Sequence, residues 1–370
     1  MKANRRDLLK AGLLGGTVAA AGLPFSLAGA GVTRNSNPLD ILVLGGTGFI
    51  GPHMVREALQ RGHSVTLFNR GQTNSDIFPD LETIQGDRAG DLAGLKGRSW
   101  DAVIDNSGYV PRHVENSARV LSPNVGYYLF ISTVAVYEDF DRPNDEDAPL
   151  ATLEDETIEE VNGETYGPLK ALCEQRAAAE IESERLGIVR PTYICGPGDH
   201  TDRFTWYPVR TRQGGAMVWP GGPDYELQII DVRDLATFTI DCVEKNATGA
   251  YNAVTPVGAY TFGNLLEDSQ AVTTATVEPV WLSDEFIAAQ EARDALPLYF
   301  PRSGEDAARF GFSGERARTA GLRNRPVRET IRDLLRWWDT LPAERIENAR
   351  FRMTPEREAE LIRLWRTENA

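Results

Sequence analysis

Hydrophobic residues fall into short continuous runs along this chain, and segments with a helical period separate the runs. The first run, residues 41–44, has four apolar positions and the length of a strand that is buried on both faces, as in a parallel sheet. Apolar positions then recur at helical spacing until Gly62, namely Ile50, Met54, Val55, Ala58 and Leu59. Similar strand-like runs cover 65–68, 102–104 and 127–131. This alternation predicts an α/β fold with a doubly wound parallel sheet.

A glycine-rich turn joins the first predicted strand to the first predicted helix. Its glycines follow a G-x-x-G-x-x-G spacing. Glycine lets the backbone approach a pyrophosphate closely, and a helix N-terminus offers unpaired N–H groups and a positive dipole end. The strand and helix on either side distinguish this turn from an ordinary glycine loop. We therefore expect a dinucleotide to bind here, with contacts from Gly45, Thr47, Gly48, Phe49, Ile50 and Gly51.

Polar residues after the next strands bear on which dinucleotide binds. An acidic residue at the end of the second strand would bind the ribose 2′-hydroxyl of NAD, but the sequence has Asn69 and Arg70 there. Because Arg70 would neutralise a 2′-phosphate, the sequence favours NADP, with NAD as the alternative. Asp87 follows the third strand and either accepts from the adenine amino group or belongs to a plain turn. Asn106 and Ser107 follow the fourth strand on the expected cofactor side.

Three candidate catalytic residues lie after the fifth strand. Thr133 lies just beyond that strand, and Tyr166 and Lys170 are one helical turn apart. Pro168 is tolerated only in the first turn of a helix, so the helix is expected to begin near Thr165. A nearby ammonium and the positive helix end both favour a phenolate, which predicts a lowered pKa for Tyr166. Tyr166 would then exchange a proton with a substrate oxygen to which Thr133 also hydrogen-bonds.

These motifs together resemble the extended short-chain dehydrogenases/reductases of the NAD-dependent epimerase/dehydratase family. The segments that carry the resemblance are 45–51, Ser132-Thr133 with Val136-Tyr137, Tyr166 with Lys170, Arg190-Pro191 with Gly196-Pro197, and 231–236. The resemblance implies a Rossmann-type fold with a smaller C-terminal substrate-binding subdomain. It also implies that Tyr166 is the acid/base, that Lys170 holds the nicotinamide ribose, and that Thr133 polarises a carbonyl. Hydride would pass between the substrate carbon and nicotinamide C4.

The sequence departs from this family's pattern at two places. Val134 and Ala135 replace the Asp-Glu pair with which sugar dehydratases eliminate water, which disfavours dehydration. Leu227 occupies the position of an arginine that binds the substrate diphosphate in many nucleotide-sugar epimerases, which puts a nucleotide-linked substrate in doubt. The candidate substrate-binding residues are Tyr137, His200 and Arg203, the last two in a loop expected to cover the substrate. His200 could assist proton transfer, although a loop histidine is more often a bystander.

Composition and the N-terminal segment bear on location and partners. A formal charge of −15 argues against nucleic acid and anionic membranes and leaves a small-molecule substrate as the expected partner. Arg5-Arg6, an apolar stretch and Ala28-Gly29-Ala30 resemble a twin-arginine signal peptide. A periplasmic or secreted protein is therefore expected, with an uncleaved membrane-anchoring signal as the alternative.

The three cysteines lack metal-ligand spacing, so we expect buried free thiols and no metal site.

The predicted organisation has four parts. Residues 1–30 form the signal, and 31–198 form the dinucleotide-binding domain, to which 226–258 return. Residues 199–225 and 259–340 form the substrate-binding subdomain, and 341–370 a C-terminal helical extension. The favoured function is an epimerase-like oxidoreductase that acts on a sugar-like hydroxyl carbon with tightly bound cofactor. An NADPH-dependent reductase or dehydrogenase with exchangeable cofactor and a non-catalytic dinucleotide-binding protein remain alternatives, and a homodimer stays open.

Overall fold

The computed structural model describes residues 37–370, so the predicted signal at 1–30 lies outside the described residues. The strands are β1 Asp40–Leu44, β2 Ser64–Asn69, β3 Thr83–Gln85, β4 Trp100–Asp105, β5 Val125–Ile131, β6 Leu186–Pro191, β7 Tyr193–Cys195, β8 Gly215–Pro220, β9 Ile229–Asp231, β10 Gly249–Ala253 and β11 Val277–Leu282. The α-helices are α1 Gly51–Gln60, α2 Pro111–Leu121, α3 Tyr166–Glu180, α4 Trp206–Thr211, α5 Val232–Lys245, α6 Phe262–Thr273, α7 Asp284–Ala289, α8 Glu315–Ala320, α9 Val327–Trp338, α10 Ala343–Glu347 and α11 Pro355–Glu368.

The main sheet has seven strands in the order β10-β6-β5-β4-β1-β2-β3. Every neighbouring pair in it is parallel. From β1 the chain builds outward to β3 on one side and then returns to β4 on the other, so the strand order reverses between β1 and β4. The predicted doubly wound parallel sheet is thereby confirmed. A crevice forms where the connections diverge at such a reversal, at the carboxyl ends of the strands.

Helices cover both faces of the sheet, as continuous hydrophobic strands require. On one face α1 packs against α5, and on the other α2 packs against α3. The side chains under α1 and α5 include Ile41, Val43, Met54, Val55, Phe238 and Ile240, all buried. Those under α2 and α3 include Leu42, Leu44, Val114, Ala118, Cys173 and Ala177. Alternate residues of β1 thus face opposite helix layers, because side chains alternate along a strand.

The C-terminal part contributes one strand to the main sheet and builds a second core. β10 pairs with β6, as expected for the returning segment 226–258, whereas the short β9 pairs with β7 in a separate two-stranded ribbon. β8 and β11 form a further parallel pair. Around them lies a core that includes Phe204, Tyr207, Trp219, Phe262, Phe286, Leu334 and Leu361. This second core includes residues from the predicted substrate-binding subdomain and from the predicted C-terminal extension.

The last helix, α11, is fixed to this second core. Its Glu358 carboxylate accepts hydrogen bonds from Arg210 Nε at 2.6 Å and from the Val218 backbone at 3.1 Å. Trp365 meets Phe286 edge to face at 5.0 Å. Within 37–370, no helix is both long and apolar enough to span a bilayer. The three cysteines are free and buried, as the sequence predicted.

Candidate active site

The glycine turn between β1 and α1 has a backbone that only glycine accommodates. Gly45 and Gly46 have φ angles of +107° and +89°. A Cβ on Gly51 would lie 2.5 Å from the carbonyl carbon of Gly46, which excludes any side chain. A Cβ on Gly48 would meet no atom within 4 Å, so open space lies beside it. No side chain caps the N-terminus of α1, which leaves its first N–H groups available to an anionic ligand.

A large cleft opens at this turn, with a volume of about 960 Å³. Two buried polar atoms in its wall, Ser132 Oγ and Asn106 Oδ1, have no hydrogen-bond partner among residues 37–370. Buried polar atoms in folded proteins normally have hydrogen-bond partners, so we expect a polar ligand to supply partners for these two atoms. Together with the uncapped helix and the open space at Gly48, they fit a dinucleotide.

The candidate cofactor residues divide between the cleft and its surroundings. Those that line the cleft are Gly45, Gly48, Phe49, Ile50, Arg70, Asn106, Ser107 and Lys170. Four others lie outside its lining: Thr47, Gly51, Asn69 and Asp87. Asn69 Oδ1 accepts from the Gly71 backbone at 2.8 Å, and Asp87 Oδ1 accepts from the Ala89 backbone at 2.9 Å. Each of these two side chains closes a turn of its own backbone.

A buried ion pair supports the cofactor side of the cleft. The Arg88 guanidinium donates to both oxygens of Asp105 at 2.6 Å, and both side chains are almost fully buried. Asp105 Oδ1 also accepts from the Ser107 backbone at 3.3 Å. Asp105 therefore fixes the turn that presents Asn106 and Ser107. The sequence analysis missed this pair, because its two members become neighbours only when β4 lies beside the loop after β3.

The three candidate catalytic residues meet at the carboxyl edge of β5. Tyr166 is the first residue of α3 and Thr165 its N-cap, as the position of Pro168 predicted. The Thr133 side chain interacts with the Tyr166 hydroxyl and lowers its pKa. Lys170 lies one turn further along α3, and its Nζ donates to the carbonyl oxygens of Gly108 and Ile131 at 2.7 Å each. Lys170 thus links the ends of β4 and β5 through their backbone.

Burial controls the protonation of both ionisable groups here. It raises the pKa of Tyr166 to about 12, against a smaller lowering by the hydrogen bond to Thr133 and by the charge of Arg203. It also lowers the pKa of Lys170 to about 8. The lowered Tyr166 pKa expected from the sequence is therefore wrong for this structure, because the loss of solvation outweighs every favourable contact. Tyr166 is a phenol at neutral pH, and Lys170 carries its charge.

The candidate substrate residues Tyr137, His200 and Arg203 all line the cleft. Tyr137 is buried, and its hydroxyl donates to Asn252 Oδ1 at 2.6 Å, so only its ring faces the cleft. His200 meets the Phe49 ring edge to face at 6.0 Å. Arg203 is exposed and lies over the Tyr193 ring at 4.8 Å. His200 and Arg203 thus occupy different parts of the loop that follows β7.

Tyr109, Tyr193 and Arg309 also line the cleft and escaped the sequence analysis. Tyr109 follows Gly108 directly, and its ring centroid lies 6.4 Å from that of Tyr166. Tyr193 comes two residues after Pro191, in a strand too short to show a pattern. Arg309 lies far along the chain in an irregular segment and has no sequence signal. No group of three or more His, Cys, Asp or Glu side chains in 37–370 has a geometry that would hold a metal ion.

Comparison with known proteins agrees with this geometry. The family model described as "NAD dependent epimerase/dehydratase family" matches residues 41–255. The chloroplast stem-loop binding protein of 41 kDa b from Arabidopsis thaliana is 27% identical over 242 residues, which is 60% of this chain and 61% of that protein. The 2-alkyl-3-oxoalkanoate reductase of Stenotrophomonas maltophilia is 29% identical over 222 residues, 54% of this chain and 64% of the relative. The chain thus aligns with less than two thirds of each relative's length.

Solved structures share the fold at low sequence identity. The Bordetella bronchiseptica enzyme WbmH in complex with NAD+ superposes with a TM-score of 0.59 at 16% identity. That alignment covers 82% of this chain and 99% of WbmH. At this identity the likeness concerns the fold alone.

Proposed function

The chain belongs to the NAD dependent epimerase/dehydratase family, and on that premise we propose that it carries out reversible hydride transfer at a hydroxyl carbon of a sugar-like substrate on tightly bound cofactor. A nicotinamide dinucleotide is the cofactor that the family and the site support. A bound nicotinamide supplies the hydride acceptor and donor. We propose NADP as the preferred form, because Arg70 lines the cleft at the end of β2 and no acidic residue is present there.

The placement of Tyr166 beside Thr133 in the cleft is the observation that carries this proposal. Both side chains line the cleft that contains the glycine turn, so a substrate oxygen placed between them can bond to both hydroxyls. With a pKa of about 12, Tyr166 starts as a proton donor to a carbonyl oxygen. Donation to the carbonyl oxygen leaves Tyr166 as a phenolate, and the interaction with Thr133 and the charge of Arg203 favour that phenolate. In the opposite direction the phenolate accepts the proton of a substrate hydroxyl and becomes a phenol again.

Residues after β7 support tight retention of the cofactor. His53 Nε2 lies 2.9 Å from the Pro197 carbonyl oxygen, and His200 contacts Phe49. Residues 197–200 therefore cross the start of α1, where the dinucleotide phosphates are expected. Retention suits the proposed export of the folded protein to the periplasm through a twin-arginine signal, because no free NAD(P) pool is expected there.

Substitution of the proposed acid/base tests the catalytic role. Tyr166→Phe keeps the ring and removes the hydroxyl, so turnover should fall by about 10²- to 10⁴-fold with folding unchanged. Tyr251→Phe is the matched control, because that hydroxyl only donates to the Thr248 carbonyl outside the cleft. Stopped-flow mixing with a panel of sugars and sugar derivatives measures the rate of the hydride step, from the transient absorbance of the bound reduced nicotinamide. Wild-type turnover by Tyr166→Phe would contradict the mechanism.

Nucleotide release tests the retained cofactor and distinguishes the second candidate function. Protein purified from the periplasm should keep near-stoichiometric NAD(P) through extensive dialysis, and denaturation followed by mass spectrometry would identify it. The second candidate is a reductase with exchangeable NADPH, which the similarity to a 2-alkyl-3-oxoalkanoate reductase favours. An empty site that exchanges added NADPH at micromolar concentration would favour this reductase.

A further inference from the structure

The substrate end of the cleft contains two arginine side chains on one tyrosine. Arg203 lies over the face of Tyr193 at 4.8 Å from the ring centroid, and Arg309 interacts with the Tyr193 hydroxyl and lowers its pKa. All three residues line the cleft. Arg203 and Arg309 come from segments more than a hundred residues apart, so the fold itself brings these two charges together. We name them the arginine pair.

Neither member of the arginine pair has a close acidic partner of its own. Arg203 forms no ion pair with any residue of 37–370, and its Nε donates only to Thr201 Oγ1 at 3.3 Å. Arg309 approaches Asp306 at 3.7 Å, while Asp306 is in closer contact with Arg293. Most other arginines of this acidic protein form close ion pairs with carboxylates. The two guanidiniums of the arginine pair do not, so they retain N–H groups that can donate to an anion.

The charge of the cleft is opposite to that of the whole protein. Four basic side chains line it, namely Arg70, Lys170, Arg203 and Arg309, against the two acidic side chains Glu138 and Glu164. The chain as a whole carries −15. A basic cleft in an acidic protein concentrates anions at that point and directs them inward. Since Arg70 and Lys170 lie at the cofactor end, the arginine pair supplies the positive charge of the substrate end.

The arginine pair lines the same cleft as the candidate catalytic residues. The charge of Arg203 lowers the pKa of the Tyr166 hydroxyl. An anion on the pair would therefore share the cleft with the substrate oxygen that contacts Tyr166. The arginine expected for a nucleotide diphosphate is replaced by Leu227, which is 1% exposed in the second core. This arrangement favours a small substrate with its own charge over one that carries a nucleotide.

We propose that the substrate bears a compact oxyanion, a carboxylate or a phosphate monoester, near the reacting hydroxyl, and that Arg203 and Arg309 bind it. The aromatic rings of Phe140 and Phe300 hold Arg309 from its sides, with centroids 3.7 and 4.9 Å from its Cζ. This packing limits the orientations of the guanidinium, so little rotamer freedom is lost on binding. The inference builds on the proposed function and specifies its substrate class.

A matched set of ligands tests this substrate class without requiring turnover. Calorimetric titration of the protein with its dinucleotide bound would compare glucuronate with glucuronamide, and glucose 6-phosphate with glucose. At least one anion should bind at least 10-fold more tightly than its neutral counterpart. The anion that binds more tightly shows whether the substrate's anionic group is a carboxylate or a phosphate. Arg203→Met and Arg309→Met should each reduce that preference by about 10- to 100-fold, the value of one charge-assisted contact. Arg363→Met, on the exposed side of α11, is the control and should keep it.

The outcomes separate this inference from the proposed function. Equal binding of anions and neutral counterparts would overturn the inference, as would a preference that survives both cleft substitutions. Tighter binding of UDP-glucose than of either small anion would also overturn it. If the anions bind through the arginine pair but no ligand in the panel changes the nicotinamide absorbance, the binding site stands and the proposed reaction fails.

Discussion

Lys170→Met offers a quantitative test of the electrostatics in the site. The substitution removes a buried ammonium and leaves the Gly108 and Ile131 carbonyl oxygens without their donor. At a single pH these two effects on the stability of the folded protein oppose each other. Loss of the buried charge stabilises the folded protein, and loss of the hydrogen bonds destabilises it. The change in stability with pH isolates the ammonium, because only the wild type titrates at this position.

The sign and size of this change follow from the Lys170 pKa, which burial lowers from 10.5 to about 8. Below pH 8 Lys170 is protonated in both the folded and the unfolded chain, so its contribution to the free energy of unfolding does not change with pH. Between pH 8 and 10.5 the unfolded chain binds more protons, so wild-type stability rises with pH. From pH 7 to pH 10 the wild type should gain about 2.5 kcal/mol relative to Lys170→Met.

Urea denaturation of both proteins at pH 7, 8, 9 and 10 measures this difference. The nearest other titrating groups stay protonated over this range, because burial raises the pKa of Tyr166 and of Cys173 to about 12. Groups that titrate elsewhere contribute equally to both proteins and cancel. Parallel stability curves would refute the reasoning, since they would mean that the two carbonyl oxygens keep Lys170 charged throughout.

Two further substitutions test the cofactor end and the support of α3. Arg70→Ala should weaken NADP binding by about 10- to 100-fold and change NAD binding little, because one charge-assisted phosphate contact is lost; equal losses in a fluorescence titration would remove the basis for NADP. Glu174→Gln should cost about 3–5 kcal/mol in denaturant unfolding, because it leaves the Arg190 guanidinium buried without its partner. Glu156→Gln, in an exposed pair with Arg176, should cost no more than about 1 kcal/mol, and a similar cost for both would contradict this account.

The parts of the molecule that were predictable depend on neighbours in sequence. The run 41–44, the glycines after it and the helical period to Gly62 gave β1, the turn and α1 nearly to the residue. Pro168 similarly located the start of α3. These are local constraints of backbone and burial, so they can be read from short segments.

The parts that were not predictable depend on segments distant in sequence. The Tyr166 pKa was expected in the wrong direction, because burial in the folded chain raises it more than Thr133 and Arg203 lower it. Arg309 joins the cleft from an irregular segment and has no pattern of its own. The Arg88–Asp105 pair exists only because the sheet places β4 next to the loop after β3. Such contacts are made by the tertiary fold alone.

The short loop after β7 touches both ends of the cleft, and this has a thermodynamic consequence. His200 contacts Phe49 at the start of α1. Arg203, three residues later, belongs to the arginine pair and contacts Tyr193. One segment therefore forms a wall of both the dinucleotide space and the substrate space. A ligand that orders this loop at one end of the cleft also orders it for the ligand at the other end. We therefore expect dinucleotide and substrate to bind cooperatively. Linkage makes that cooperativity reciprocal, and the factor by which substrate tightens the dinucleotide equals the factor by which the dinucleotide tightens substrate.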